Sequence, residues 1–164
     1  MSASTAPLKV VAVACVLLLL SLGVYLAPLQ PGVVALQLTW TPESFAAVLQ
    51  AWGPEGIPRF RRHLPVDGLL LLSYGAMGYL AVARTRFFEP LSTRFATRHV
   101  AWLLPLAAVC DAAENLLHWY LTSEAVLSHT VGVSAAWYAV AGCCAAGKWL
   151  GISAFASAAV LRRV

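Results

Sequence analysis

Between Cys110 and Trp119 the chain reads CDAAENLLHW, setting two carboxylic acids, an amide and an imidazole in a stretch otherwise made of leucine, alanine and valine. On a helix turning about 100° per residue, with Asp111 at the origin, Glu114, Asn115 and His118 fall at about −60°, 40° and −20°. All four therefore share one face. Two carboxyls on one face resist ionising together, and a carboxyl–carboxylate pair can both donate and accept a proton. Asp111, Glu114 and His118 are accordingly the candidate acid–base residues, with His118 as a proton relay and Asn115 orienting a polar atom of a ligand. Glu114 and His118, at i and i+4, can also face one metal ion, with Asp111, Asp67 or His129 as further ligands for zinc, iron or manganese. The HExxH or paired ExxH patterns that would make a metal site specific are missing, so no cofactor is expected.

The elements that must position these groups are membrane helices. The chain has 164 residues, 60% hydrophobic and only 11% charged. A soluble domain normally carries about a quarter charged residues and cannot hide so much apolar surface at this size. Four apolar stretches approach the length needed to cross about 30 Å of hydrocarbon. The expected fold is all-α, a polytopic membrane four-helix bundle forming a single domain over 1–164. Its spans are placed at about 8–28, 65–84, 99–121 and 126–148, with an external segment at 30–64 and an apolar tail at 149–164. The first stretch has the length of a signal peptide, but its apolar run is long and its basic region is Lys9 alone, so it is read as a retained span. Lys148 either closes the fourth span or, if that span sits further along, lies within the membrane.

Within the external segment, TPESFAAVLQAWGPEG is punctuated as a short amphipathic helix, with Thr41 as cap, Pro42 in the first turn and Gly53-Pro54 as the stop. Arg59, Arg61 and Arg62 follow at headgroup level, where they are candidates for phosphate or carboxylate contacts. Of the eleven lysines and arginines, these three stand on one side. The other eight lie at the N-terminus, in the loop from Arg84 to Arg98 with its Phe87, Phe88 and Phe95, and in the tail with Lys148, Arg162 and Arg163. The positive-inside rule then puts both termini in the cytoplasm of a multi-pass protein of the cell inner membrane. The net charge of +4 is a topology signal, and no basic module for nucleic acid is present. Cys15, Cys110, Cys143 and Cys144 all lie in apolar stretches without CxxC spacing and are expected as packing residues.

Matching the helices by depth brings further polar groups beside the CDAAENLLHW face. Asp67 and Tyr74 from the second span, and His129, Ser134 and Tyr138 from the fourth, are expected to line a pocket in the outer half of the membrane. Small residues along the fourth span, including the pairs Gly132/Ala136 and Gly142/Ala146, favour close helix packing, either inside the bundle or in a homodimer.

The order of a membrane helix, the PESFAAVLQAWGPEG helix, HLPVDGLLLLSYG and DAAEN resembles a family of small four-helix bacterial integral membrane proteins over most of residues 35–121. That resemblance brings no activity with it. In architecture and residue type alone, the chain is also distantly similar to the EXPERA proteins, which include sterol isomerases and sterol- or drug-binding receptors. This second resemblance implies an amphiphilic ligand and transfers no residue role.

Two main classes follow. One is a pocket for a lipid-like or amphiphilic small molecule, with isomerase-like acid–base catalysis left open; it requires a cavity lined by Asp111 and Glu114. The other is a structural or accessory subunit, in which those acids are closed off against neighbouring helices. A small proton-coupled transporter is a third expectation.

Overall fold

The computed structural model describes residues 4–88 and 94–161, with backbone alone at 94–96. Its regular structure is helical: α1 (Ala6–Leu26), α2 (Val33–Gln37), α3 (Pro42–Ala83), α4 (Arg94–Leu121), α5 (Glu124–Leu127) and α6 (Ala135–Leu161). Among the described residues, four helices are long and apolar enough to cross a membrane: Ala6–Leu26, Pro42–Ala83, Thr97–Leu121 within α4, and Ala135–Leu161. Their outward faces carry large apolar side chains in full exposure, among them Val24, Leu116 and Leu150, each more than 70% accessible. Water would not tolerate such a surface on a monomer, whereas hydrocarbon does. The molecule is an all-α bundle with the makeup of a multi-pass membrane protein.

The helix starting at Pro42 begins where Thr41 caps it. The Thr41 hydroxyl accepts from the Ser44 amide at 3.2 Å, and the Ser44 hydroxyl accepts from the Thr41 amide at 3.3 Å. The helix then breaks at Gly53, whose φ of 66° suits a residue without a Cβ, and Pro54 follows. The segment before the break buries Phe45, Leu49 and Trp52, and the Trp52 indole donates to the Pro31 carbonyl at 2.6 Å. These side chains join Leu29, Leu36, Phe60, Leu64, Leu121 and Ala141 in one core at this end of the bundle. A second core, of Cys15, Leu71, Tyr74, Leu104, Ala107 and Ala108, fills the level below.

α4 is approached closely on two sides by glycines. A Cβ at Gly75 would lie 3.1 Å from that of Ala108, and one at Gly78 would lie 2.5 Å from that of Leu104. On the α6 side, a Cβ at Gly151 would lie 3.0 Å from that of Ala107, and one at Gly147 would lie 3.2 Å from the Cys110 sulfur. Much of the small-residue face of α6 is thus spent inside the bundle. Gly142 likewise meets the Thr39 carbonyl and the Trp40 ring, while Ala135 and Ala136 stay exposed.

The last long helix begins at Ala135, later than the 126–148 stretch read from the sequence, and runs on to Leu161 through most of the expected tail. The physical reason lies in Ser128-His129-Thr130. α5 ends there because His129 takes a left-handed φ of 57°, the Val131 amide bonds back to the Ala125 carbonyl at 3.1 Å, and the Thr130 hydroxyl does so at 2.8 Å. Of the two placements open for Lys148, the structure adopts the one in mid-helix. Phe88 is buried against Phe155, and Cys143 faces outward. Arg162 and Arg163 lie outside the described residues, as do 89–93 of the basic loop and the side chain of Phe95.

Candidate functional site: a polar cluster inside the bundle

The polar face of α4 points into the bundle, as its phase requires. Asp111, Glu114 and His118 are buried, with Glu114 fully inaccessible. What meets them is Lys148 of α6, itself buried. Its ammonium donates to Asp111 Oδ1 at 3.0 Å and stands 2.7 Å from Glu114 Oε2, the latter an ion contact without aligned hydrogen-bond geometry. The close approach of the two helices at Gly147 and Gly151 leaves the intervening lysine beside the acids. Burying two or three charges is costly unless each is paired, and here one cation serves two acids.

The two acids differ in their remaining partners. Asp111 Oδ2 also accepts from the Tyr74 hydroxyl at 2.9 Å, so both its oxygens are satisfied. Glu114 Oε1 has no hydrogen-bond donor, and His118 Nδ1 lies 3.7 Å from it. The His118 ring is held between Phe45 and Phe60, each with its centroid 5.8 Å away.

Asp67 and Asn115 form a separate pair at the edge of this cluster. The Asn115 amide donates to Asp67 Oδ2 at 2.7 Å in a partly buried contact. Asn115 also lines an apolar groove of about 500 Å³ between α3 and α4, with Leu64, Gly68, Leu72, Leu116 and Trp119 among its walls. A neighbouring groove of about 610 Å³, lined by Ile57, Pro58, Arg61, Arg62, Pro65 and Trp119, shares Pro65 and Trp119 with it. Asp111 and Glu114 line neither groove.

The residues expected from the fourth span take other places. His129 and Tyr138 line an outer groove of about 690 Å³ together with Phe45, Leu49 and Val126. Tyr138 meets Phe45 edge-on at 5.2 Å, so that the Phe45 ring stands between Tyr138 and His118. Ser134 is exposed, and its hydroxyl accepts from the Ala136 amide at 3.3 Å at the start of α6. The later start of α6 moves all three away from the acids.

The arginines divide as well. Arg59 donates to the Tyr25 carbonyl at 3.0 Å and Arg61 to the Trp119 carbonyl at 2.6 Å and the Thr122 hydroxyl at 2.9 Å. Arg61 therefore satisfies the end of α4, stacked 4.3 Å from the Trp119 ring. Arg62 is exposed at the groove.

Sequence reasoning missed two members of the cluster. Lys148 carried a signal, since Ala141, Ala145 and Lys148 recur at helical spacing on one face and all three are buried. His63 is the other: it is buried, bonded through Nδ1 to the Phe60 carbonyl, and within electrostatic reach of Asp67, Asp111 and Lys148. Among the described residues no group of three or more His, Cys, Asp and Glu side chains is arranged to hold a metal ion. The volume beside Asp111 and Glu114 that a cation would take is filled by the lysine ammonium. Comparison with protein-family models, curated proteins and solved structures gives no match for this chain.

Proposed function

We propose that this protein binds an amphiphilic, lipid-like molecule in the groove between the membrane-crossing part of α3 and α4. The observation that carries the reading is the groove itself: about 500 Å³, apolar along its walls, with Asn115 as a polar group fixed by Asp67. Its size falls within the range of small-molecule sites, and one oriented polar group among apolar walls is how such sites set ligand orientation. Through Pro65 and Trp119 it continues into the groove beside Arg62, where an anionic headgroup would find a guanidinium. The tail of the ligand then lies along Gly68 and Leu72. In this reading the protein sits in the cell inner membrane with both termini in the cytoplasm. The burial of Asp111 and Glu114 away from the groove favours binding over isomerisation.

Gly68 provides the test, because a Cβ added there meets no neighbouring atom within 4 Å and a longer side chain would extend from it into the groove. Native mass spectrometry of the wild type, released from lipid nanodiscs, should detect a retained amphiphile. Gly68→Leu should reduce that retention at least tenfold while leaving helicity and thermal unfolding unchanged. Equal retention in the two proteins, or none in either, would discard the groove as a ligand site.

A second reading has its own support. Asp111 and Glu114 closed against Lys148 and Tyr74 are what a structural or accessory subunit would use to fix helix packing, and such a subunit would pass the same experiment with no amphiphile retained.

A further inference from the structure

We infer that the bundle holds one exchangeable proton on Glu114 Oε1, with His118 as the group through which it enters and leaves. The argument begins with a charge count. Lys148 contributes one positive charge and Asp111 and Glu114 two negative ones, in a cluster whose members are all less than a tenth exposed. An uncompensated charge at this depth is costly, because neither water nor a counter-ion reaches it. One proton removes it.

Geometry selects the carrier. Asp111 accepts from Lys148 on one oxygen and from Tyr74 on the other, the pattern of an ionised carboxylate that only accepts. Neither Glu114 oxygen has an aligned hydrogen bond; Oε2 stands 2.7 Å from the ammonium, which leaves Oε1 as the place for a hydrogen. An oxygen without a donor in a site with no exposure is where a carboxyl group carries its hydrogen. His118 Nδ1 lies 3.7 Å from it, beyond hydrogen-bond reach and longer than the roughly 2.7–2.9 Å of a charge-assisted pair. A carboxylate and an imidazolium would add two buried charges without that closeness, so the resting pair is a neutral acid beside a neutral imidazole. Within electrostatic reach of Glu114 are Asp67 and Tyr74 from α3, Asp111 and His118 from α4, and Lys148 and Cys144 from α6, while His63 of α3 reaches Asp111, His118 and Lys148. Asp67 has its own donor in Asn115.

His118 also connects this proton to the outside. Its ring touches Phe45, and Phe45 lines the outer groove beside His129 and Tyr138. Transfer from Glu114 Oε1 to His118 Nδ1 leaves a carboxylate facing Lys148 and an imidazolium against the Phe45 and Phe60 rings. Movement of Phe45 would then open the imidazolium to water in the groove.

Infrared spectroscopy of the full chain in lipid nanodiscs at neutral pH tests the assignment, because protonated and ionised carboxyls absorb in separate regions. The wild type should give one carboxylic-acid carbonyl band that shifts in heavy water. Carbon-13 labelling of glutamate should move this band and labelling of aspartate should not, an assignment that needs no variant. Glu114→Gln should abolish it. Asp111→Asn should also abolish it, although Glu114 is intact, because one acid then balances Lys148 as an ion pair. Asp67→Asn should leave it in place. An absent band, a band that follows labelled aspartate, or a band that persists in Asp111→Asn would each overturn the proposal.

Discussion

At the scale of single residues, the cluster rests on how few partners each charge has. Asp111 is held by two donors, and removing one leaves a buried carboxylate oxygen without its hydrogen bond. Tyr74→Phe keeps the ring in the core with Leu71, Leu104 and Ala108 and deletes the hydroxyl alone. A hydrogen bond to a charged group contributes about 1.5–3 kcal/mol, so Tyr74→Phe should lower stability by about that amount in reversible unfolding from mixed micelles. A change below about 0.5 kcal/mol would mean that Lys148 alone satisfies Asp111. The four polar residues of CDAAENLLHW were legible because a period of 3.6 residues fixes their common face whatever surrounds them. Lys148 was not, because its depth depends on where α6 begins, and that is decided by hydrogen bonds of the Ser128-His129-Thr130 turn that composition does not reveal.

At the scale of elements, glycine positions decide whether the charges can meet. Lys148 lies between Gly147 and Gly151, and an added Cβ would press on the Cys110 sulfur at the first and on Ala107 and the Leu103 carbonyl at the second. Forcing extra volume into a packed helix contact costs about 1–3 kcal/mol, and here it would also draw the ammonium away from Asp111 and Glu114. Gly151→Leu should therefore destabilise the protein by more than the packing cost alone, at about 3 kcal/mol or beyond. Gly23→Leu in α1, where an added Cβ meets nothing within 4 Å, should change stability by less than 1 kcal/mol. Unfolding curves of the two variants check this, and equal effects would mean that the α4–α6 approach is not what holds the ion pairs. The Thr41 cap and the Gly53-Pro54 break were readable in sequence, since each follows from local backbone chemistry. The separation of His129, Ser134 and Tyr138 from the acids was not, because it follows from the same shift in α6 that brought Lys148 inward.

At the scale of the whole molecule, burying Lys148 changes the charge count used to orient the chain. In the proposed orientation, removing it from the cytoplasmic side leaves seven basic residues there against Arg59, Arg61 and Arg62 on the other, an asymmetry that still favours that orientation. The three arginines are also less free than a count suggests, as Arg59 and Arg61 bond to backbone carbonyls of α1 and α4. In the proposed orientation the helix before Gly53 lies on the outer face, and with it both the groove at His129 and Tyr138 and the entry to the groove at Arg62. Gln50 is exposed on that helix, while the four native cysteines all sit within membrane-crossing helices. Gln50→Cys should react with a membrane-impermeant maleimide added to intact cells, and the wild type should not. Labelling that occurs only after the cells are opened would invert the orientation, and the outer groove would then draw its protons and ligands from the cytoplasm.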